Sequence, residues 1–184
     1  MCTLFPTEGA RGMVKSLMES AAFDGRYVSP NQYENLLNVA AHYRTTGPEI
    51  WAQTDGKIDG FTCACGSGGT LAGIAQVLQP KGVRVGLSDP DGSGLYKLYT
   101  GKVPPAGDSI SEGIGQGRVT ANLEGFKPDF AYQIPDEEAL PIVFDTLAEE
   151  GLCLGGSSGI NMAGARRMAR EMGPGHTIVT ILCD

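Results

Sequence analysis

The feature that most constrains the fold of this chain is a repeated alternation of short apolar runs with helical patterns from residue 58 onward. Runs of β-branched and other apolar residues predict strands, whereas apolar residues spaced by three and four predict helices with one buried face. This order is typical of strand–helix units on a parallel sheet. The sequence therefore predicts an α/β fold of three layers, in which helices cover both faces of a mainly parallel sheet.

The predicted strands cover residues 58–65, 83–87, 129–134, 152–154 and 177–183, and the predicted helices cover residues 8–22, 48–54, 70–78, 136–150 and 160–172. In the helix over 136–150, the spacing predicts a buried stripe of Leu140, Val143, Phe144 and Leu147, with Gly151 as the C-terminal stop. Residues 88–92 are predicted to form a loop. Residues 92–128 have no strong period, and a segment of this length without clear elements is usually functional, disordered or misread.

Charge and composition exclude several classes of partner. The 184 residues carry a formal net charge of −7, whereas a nucleic-acid groove or an anionic membrane surface needs an excess of Lys and Arg. No segment is long and apolar enough to span a membrane, and the first residues lack the basic start of a signal peptide. Five cysteines and two histidines form no zinc pattern, so no metal site is predicted. We therefore expect a cytoplasmic protein with buried thiols, among which Cys63 and Cys65 share one face of a strand.

Two glycine-rich turns of the strand-to-helix type stand out, at residues 66–70 and 155–159. The first consists of Gly66, Ser67, Gly68, Gly69 and Thr70. Its glycines let consecutive backbone N–H groups point into one concavity at the start of a helix, and its two hydroxyls can add donors, which suits a phosphate. Short glycine motifs are common, so a tight turn that binds nothing stays an alternative.

Other phosphate-binding turns fit this sequence less well. A nucleoside-triphosphate loop needs Lys followed by Ser or Thr after its last glycine, and Thr70 and Leu71 stand there instead. A dinucleotide-binding turn needs glycine where Leu71 stands, although Asp89 lies at the end of the next strand, where a ribose-binding acid could sit. A Rossmann nucleotide-binding domain that uses residues 66–69 and Asp89 therefore stays an alternative.

The first turn resembles the phosphate-binding turn of the fold-type II pyridoxal-phosphate enzymes, in particular of the cysteine synthase and cystathionine β-synthase family. Residues 31–51, which include Gln32, Asn38 and His42, are similar to the segment that precedes this turn in the family. Residues 111–115 resemble the family's active-site loop, and residues 155–159 resemble the turn that faces the pyridine nitrogen. Four motifs in the right order are much more specific than any one of them.

The resemblance implies a role for each matching residue. Residues 66–70 would bind the phosphate of pyridoxal 5′-phosphate, and Ser157 would give its hydroxyl to the pyridine nitrogen. Gln32 would help to bind the substrate carboxylate, and Gly113 would line the amino-acid side of the ring. Two alternatives stay open: Ser157 as the N-cap of the helix from residue 160, and Gln32 as a loop residue bonded to nearby backbone.

The chemistry of this family needs a lysine that binds the cofactor covalently and moves the α proton. The six lysines of the sequence, at positions 15, 57, 81, 97, 102 and 127, lie outside the family's lysine motif. His42 and His176 look isolated, so no catalytic residue is assigned. We expect the chain to correspond to the C-terminal half or so of such an enzyme. Residues 1–30 would be a remnant of the smaller domain, and residues 31–184 would be the large cofactor-binding domain, truncated at its C-terminus.

The resemblance implies that the intact parent converts O-acetylserine, or a similar amino-acid substrate, and sulfide into cysteine, as a homodimer. The chain by itself is expected to be inactive and to bind the cofactor weakly and noncovalently. Besides the Rossmann domain, two alternatives stay open: an enzyme similar to cystathionine β-synthase, and a binding or scaffold module without turnover.

Overall fold

A computed structural model of the chain describes residues 30–104 and 106–183. The chain divides into two units, Met1–Asn31 and Gln32–Asp184, and every helix and strand named below belongs to the second unit. The helix predicted over residues 8–22 lies outside the described residues. The domain boundary after residue 30 stays a prediction.

Four parallel strands form the central sheet of the second unit. They are β1 (Gly60–Cys63), β2 (Arg84–Pro90), β3 (Phe130–Ile134) and β4 (Ile178–Thr180), in the order β3-β2-β1-β4. Gly60 lies opposite Arg84 on one side and Ile178 on the other, and Gly86 lies opposite Phe130. Because all strands run in the same direction, the segments that follow them meet at one edge of the sheet, where parallel α/β proteins bind their ligands.

Within the described residues, six α-helices accompany the sheet. They are α1 (Leu37–Arg44), α2 (Thr46–Gln53), α3 (Gly69–Leu78), α4 (Leu95–Thr100), α5 (Asp136–Glu150) and α6 (Gly156–Met172), with 3₁₀ turns at Gln79–Lys81 and Ala121–Leu123. None of these helices is long and apolar enough to cross a membrane.

Alternate residues of the central strands face two different helix layers. Phe61 of β1 and Val85 and Leu87 of β2 are fully buried in one cluster with apolar residues of α1, α2, α3 and α4. On the opposite face, Met168 of α6 is fully buried in a second cluster and lies over Gly86. This alternation is the burial expected of strands covered on both sides. Helices on both faces of a parallel sheet confirm the predicted three-layer α/β fold.

Two element predictions around the sheet are wrong. The predicted loop over residues 88–92 begins inside β2, because Ser88 and Pro90 pair with β3 and extend the strand. The predicted strand over residues 152–154 is irregular, since this short run pairs with none of the four strands. Its first residue, Leu152, is 48% exposed.

The buried face of α5 also differs from the predicted stripe of Leu140, Val143, Phe144 and Leu147. Phe144 is 66% exposed, whereas Ala139 and Ile142 are buried. The cause is the close approach of α6, because a Cβ atom at Gly159 would lie 2.5 Å from the carbonyl oxygen of Ala139. This contact turns the Ala139 side of α5 toward α6. The predicted stop at Gly151 is confirmed, with φ = +71°.

The prediction of buried thiols holds for only part of the cysteines. Cys63 and Cys65 are buried in the same cluster with free thiols, and burial raises the pKa of Cys65 to about 12. Cys153 is exposed and Cys183 is partly exposed, because both lie in irregular segments outside the core.

Candidate cofactor site

The first glycine turn joins β1 to α3 with a backbone that few other residues allow. Gly68 has φ = +92°, in the left-handed region, and no described side chain caps the N-terminus of α3 that follows it. A Cβ atom at Gly66 would overlap the carbonyl oxygen of Gly113, and one at Gly69 would overlap the side chain of Asn38. The glycines therefore allow two neighbouring segments to lie directly against the turn, while the first N–H groups of α3 keep no side-chain acceptor.

Three side chains from other segments hold Ser67. The amide nitrogen of Asn38 donates to the Ser67 hydroxyl at 2.9 Å. The hydroxyl of Thr120 and the amide of Asn122 donate to the Ser67 carbonyl oxygen at 2.8 and 3.1 Å. Since the Ser67 hydroxyl accepts from Asn38, its own proton is left for another acceptor, such as an anion in the turn.

Gln32 lies beside this turn and is held there through its backbone. Its carbonyl oxygen accepts hydrogen bonds from Asn38 at 2.9 Å and from Asn122 at 2.6 Å. The same two amides therefore fix both the Ser67 turn and the Gln32 segment. Gln32 is an exposed residue, and the predicted contact of its side chain with a substrate carboxylate stays a proposal.

The interpretation of His42 as an isolated histidine is wrong. Its Nε2 atom lies 3.1 Å from the hydroxyl oxygen of Thr70, and its Nδ1 atom lies 2.9 Å from the hydroxyl oxygen of Thr46. Partial burial of the ring lowers its pKa, which favours the neutral form. The second hydroxyl of the glycine turn is therefore connected through His42 to the start of α2.

Residues 110–116 form a loop that is tied at both ends. At one end, Asp136 at the start of α5 accepts a hydrogen bond from the Ser109 hydroxyl at 2.6 Å and one from the backbone N–H of Ile110 at 2.7 Å. At the other end, the N–H of Gly115 donates to the Cys65 carbonyl oxygen at 2.8 Å. Between these points lies Gly113, whose carbonyl oxygen contacts Gly66. The loop predicted from residues 111–115 is therefore in direct contact with the first turn.

The second glycine turn forms the N-terminus of α6. The helix begins at Gly156 and its N-cap is Gly155, so Ser157 lies in the first turn of the helix. The alternative in which Ser157 caps a helix from residue 160 is therefore wrong, because the helix starts four residues earlier. A cavity of about 320 Å³ is lined by Ile110, Ser111, Glu112, Leu140, Val143, Phe144, Gly155, Gly156 and Ser157. The loop of residues 110–116 thus faces the second turn on one side and the first turn on the other.

Asn161, one helical turn after Ser157, connects the segments that follow β1 and β4. Its side-chain oxygen accepts from the N–H of Ala64 at 2.6 Å, and its amide nitrogen donates to the carbonyl oxygen of Ile181 at 2.8 Å. The side chain is 2% exposed. This buried amide fixes α6, and with it Ser157, relative to the strand that leads into the first glycine turn.

The geometry of Asp89 argues against the dinucleotide-binding alternative. The residue is fully buried in β2, and its carboxylate accepts a hydrogen bond from the N–H of Tyr96 in α4 at 2.8 Å. Burial raises the pKa of Asp89 to about 6, against the effect of its hydrogen bonds. The carboxylate therefore supports α4 inside the protein and is not available to a ribose.

The residues around the first turn fit a phosphate group. The uncapped N–H groups of α3, the Ser67 proton and the Thr70 hydroxyl can all serve anionic oxygens. The positive end of the α3 dipole favours negative charge at the same place. Among residues 30–104 and 106–183, no group of three or more His, Cys, Asp or Glu side chains could hold a metal ion.

Comparison with known proteins agrees with this geometry. The family described as pyridoxal-phosphate dependent enzymes matches residues 4–184, so the chain belongs to that family. Within it, the chain belongs to the fold-type II group of cysteine synthases and cystathionine β-synthases, and the Rossmann alternative is thereby overturned.

Two fungal relatives and one bacterial structure illustrate this membership. The chain is 48% identical over 162 residues to cysteine synthase 1 of Neurospora crassa, covering 84% of this chain and 43% of the relative. It is 50% identical over 165 residues to cysteine synthase 1 of Emericella nidulans, covering 84% and 44%. A crystal structure of an O-acetylserine dependent cystathionine β-synthase from Helicobacter pylori matches with a TM-score of 0.76 and 32% identity, covering 84% of this chain and 49% of that one. The chain thus spans about half the length of the relatives it matches.

Proposed function

We propose that the whole protein is a pyridoxal phosphate-dependent cysteine synthase, in which sulfide replaces the acetate of O-acetylserine to form cysteine. The observation that carries this proposal is the meeting of three separated segments at one edge of the sheet: the first glycine turn, the loop of residues 110–116 and the turn that begins α6. Identities of 48% and 50% to two cysteine synthases support the same reaction. Because the chain spans about half of those relatives, the activity is proposed for the whole protein.

In this proposal, residues 66–70 bind the phosphate of pyridoxal 5′-phosphate through backbone N–H groups and the hydroxyls of Ser67 and Thr70. The bound cofactor supplies an electron sink for charge that develops at the substrate α carbon. Ser157 donates its hydroxyl to the pyridine nitrogen. Its position in the first turn of α6 supports this role, since the positive helix end disfavours a protonated nitrogen beside it. A neutral ring nitrogen is a weaker electron sink, which suits elimination and replacement at the β carbon.

Gln32 and Gly113 are proposed to contact the amino-acid substrate. The contacts of Asn38 and Asn122 with the Gln32 backbone keep that segment beside the phosphate turn. Gly113 is exposed, and a Cβ atom added there would meet no atom within 4 Å, so the loop leaves open space at this position. An exposed loop next to the phosphate turn is where a substrate carboxylate and side chain can enter.

The described lysines do not offer a covalent partner for the cofactor. Lys57, Lys81 and Lys127 precede β1, β2 and β3, so they lie at the opposite edge of the sheet from the glycine turns. Lys97 and Lys102 are exposed on α4 and just beyond it. We therefore propose that the 184-residue chain alone binds the cofactor noncovalently and does not turn over.

The test is to titrate the chain with pyridoxal 5′-phosphate and follow the cofactor absorbance and the fluorescence of Trp51. Borohydride reduction and mass spectrometry then identify any labelled lysine, and cysteine formation is assayed in parallel. We expect saturable binding, no labelled lysine and no turnover. One labelled lysine together with turnover contradicts the inactivity of the chain alone. No binding of the cofactor contradicts the proposed site.

Two substitutions test the role of Ser157 in the whole protein. Ser157→Ala removes the hydroxyl, and Ser157→Asp offers the ring nitrogen a carboxylate that the helix N-terminus tolerates. We expect Ser157→Ala to slow the elimination of acetate and Ser157→Asp to change the absorbance of the bound cofactor by protonating the ring. Wild-type rates and spectra in both variants refute the assignment.

A second candidate function is cystathionine formation, which the structural similarity to the O-acetylserine dependent enzyme of Helicobacter pylori favours. The two reactions share the leaving group and differ in the nucleophile. Assays of the whole protein with O-acetylserine and either sulfide or homocysteine separate them. We expect sulfide to give the higher kcat/KM, and a preference for homocysteine would favour the second candidate.

We also propose that the whole protein is a cytoplasmic homodimer. The buried, protonated thiols of Cys63 and Cys65 support the compartment, and the exposed apolar residues Phe144 and Leu147 support the dimer. Light scattering of the whole protein tests the dimer, and cell fractionation tests the compartment. A monomer contradicts the dimer. A mitochondrial fraction contradicts the cytoplasmic location, and one relative from Saccharomyces cerevisiae is described as a putative mitochondrial cysteine synthase.

A further inference from the structure

His42 lies between two threonine hydroxyls, and the hydrogen bonds of a third threonine limit how the protons can be arranged. The ring contacts Thr70 through Nε2 at 3.1 Å and Thr46 through Nδ1 at 2.9 Å. The hydroxyl of Thr45 lies 3.5 Å from that of Thr46 and donates its proton to the carbonyl oxygen of Ala41 at 2.8 Å. The Thr45 proton is therefore already used, so Thr45 cannot donate to Thr46.

A neutral imidazole has one N–H donor and one bare nitrogen, so two arrangements are possible. In the first, Thr46 donates to a bare Nδ1, and the Nε2–H of His42 donates to the Thr70 oxygen. In the second, Nδ1–H donates to Thr46, and the Thr70 hydroxyl gives its own proton to a bare Nε2. The Thr46 proton then has Thr45 as its acceptor, at the long distance of 3.5 Å.

The two arrangements present different groups to the glycine turn. When Nε2–H donates to Thr70, the Thr70 proton stays free to donate to an anion. When Nε2 is bare, Thr70 uses that proton on His42 and offers only lone pairs, which repel an anionic oxygen. The 2.9 Å contact between His42 and Thr46 is made in both arrangements, so the proton left over decides between them. In the second arrangement the Thr46 proton has only the 3.5 Å contact with Thr45, whereas in the first the Thr70 proton is left over and an anion in the turn can accept it, which favours the first arrangement.

We propose that Thr46 holds His42 in the Nε2–H tautomer and that His42 thereby keeps the hydroxyl of Thr70 as a donor to the phosphate in the glycine turn. His42 is then a positioning residue, which acts on the ligand through Thr70. This inference rests on the proposed function, because it takes the turn to be the phosphate site. It assigns a part in phosphate binding to two residues that do not contact the phosphate.

The tautomer can be measured directly in the 184-residue chain labelled with ¹⁵N-histidine, through long-range ¹H–¹⁵N correlations. The sequence has two histidines, so a His176→Gln variant assigns the signals. We expect His42 in the Nε2–H form, both in the free chain and with inorganic phosphate or pyridoxal 5′-phosphate. An Nδ1–H tautomer in the presence of bound ligand overturns the inference.

Thr46→Val removes the donor to Nδ1 and keeps the shape of the side chain. We expect the Nδ1–H tautomer to appear and the affinity for phosphate to fall by up to about fivefold, the value for complete loss of one hydrogen bond of about 1 kcal/mol. The matched control is Thr54→Val, which removes a hydroxyl bonded to Ile50 at the other end of α2. This control should leave both the tautomer and the affinity unchanged.

A double-mutant cycle with Thr70→Val separates this role from a general structural one. If Thr46 acts through Thr70, Thr46→Val has no further effect on affinity in the Thr70→Val chain. Equal losses in both backgrounds overturn the inference. If the wild-type chain binds neither probe, the proposed phosphate site fails and the inference falls with it. Binding with the Nδ1–H tautomer overturns the inference alone. If circular dichroism shows that the Thr46→Val chain does not fold, the tautomer measured in the wild-type chain with bound ligand still confirms or overturns the inference.

Discussion

The contact between the first glycine turn and the loop of residues 110–116 can be tested by Gly66→Ala. The backbone at Gly66 is outside the left-handed region, so alanine fits its dihedral angles. The new Cβ atom would overlap the carbonyl oxygen of Gly113, which is main chain and cannot rotate away like a side chain. The effect of the substitution therefore comes from this contact and not from backbone strain.

The distances around Gly66 set the size of the expected loss of stability. To restore an ordinary carbon–oxygen contact of about 3.3 Å, the loop must move by roughly 1 Å. Overpacking of this kind costs about 1–3 kcal/mol. The same movement stretches the 2.8 Å hydrogen bond between Gly115 and Cys65 beyond its useful range, at about 1 kcal/mol. Alanine restricts the unfolded chain, which stabilises the fold by about 0.4–1 kcal/mol, so we expect a net loss of stability of about 1–3.5 kcal/mol.

Urea unfolding followed by circular dichroism measures this loss, and titration with pyridoxal 5′-phosphate measures its effect on binding. The matched control is Gly117→Ala, one residue beyond this loop, where a Cβ atom meets no atom within 4 Å. We expect Gly117→Ala to unfold within about 0.5 kcal/mol of the wild type, as surface substitutions usually do. A Gly66→Ala chain as stable as this control, with unchanged cofactor affinity, would refute the contact between turn and loop.

Three further substitutions test the supports of the site. Asp136→Asn should release one of the two hydrogen bonds that hold the loop. We expect it to lower the free energy of unfolding by about 1–2 kcal/mol and to weaken cofactor binding. Glu137→Gln replaces an exposed acid in the same helical turn, so it is the control for loss of helix-end charge and should do neither. Asn161→Leu removes the partners of two partly buried backbone groups and should cost about 2–4 kcal/mol in urea unfolding. A loss smaller than about 1 kcal/mol, the value of one ordinary hydrogen bond, would speak against its bridging role. The pKa of Asp89 is raised to about 6, so the folded chain takes up a proton between about pH 6 and pH 4 that the unfolded chain does not. Relative to Asp89→Asn, the wild type should therefore gain about 1 kcal/mol of stability as the pH falls from about 7 to about 5. If the free energy of unfolding depends on pH in the same way in the two chains, this prediction is wrong.

The parts of the site that are local in sequence could be predicted, and those that depend on distant contacts could not. A turn such as residues 66–70 has its chemistry in consecutive residues, since glycine spacing and a following apolar period are enough to place it at a strand–helix junction. Asn122 and Asn161 were missed, and Asn38 was named in a matching segment but given no role, because an amide has no sequence signature of its own. Their partners lie 29, 55 and 97 residues away, at distances set by the topology of the sheet.

The same reasoning explains the errors in the helices. The stripe predicted for α5 assumed that the largest apolar side chains are buried, but Phe144 is 66% exposed because the close contact with α6 at Gly159 selects the Ala139 side. The helix α1 has no wide apolar face: Leu37 is 71% exposed and Val39 is its only buried residue. Its place is fixed by close packing of Val39 and His42 on Gly73 and by the polar contacts of Asn38 and His42 with the first glycine turn. Hydrophobic periodicity predicts none of these contacts.

The contacts of the loop with both turns imply that the site responds to ligands as one unit. Gly113 contacts Gly66 through its carbonyl oxygen, and Gly115 bonds to Cys65, so the loop cannot leave the first turn without breaking main-chain contacts. Its other end is tied to Asp136 of α5, beside the turn that begins α6. A phosphate that stiffens the first turn therefore also stiffens the loop, and a substrate that contacts the loop changes the affinity of the turn by the same factor, since coupling between two sites is reciprocal. Substitutions at Gly66 and Asp136 should accordingly show non-additive effects on cofactor affinity, although the two residues lie 70 positions apart in the sequence.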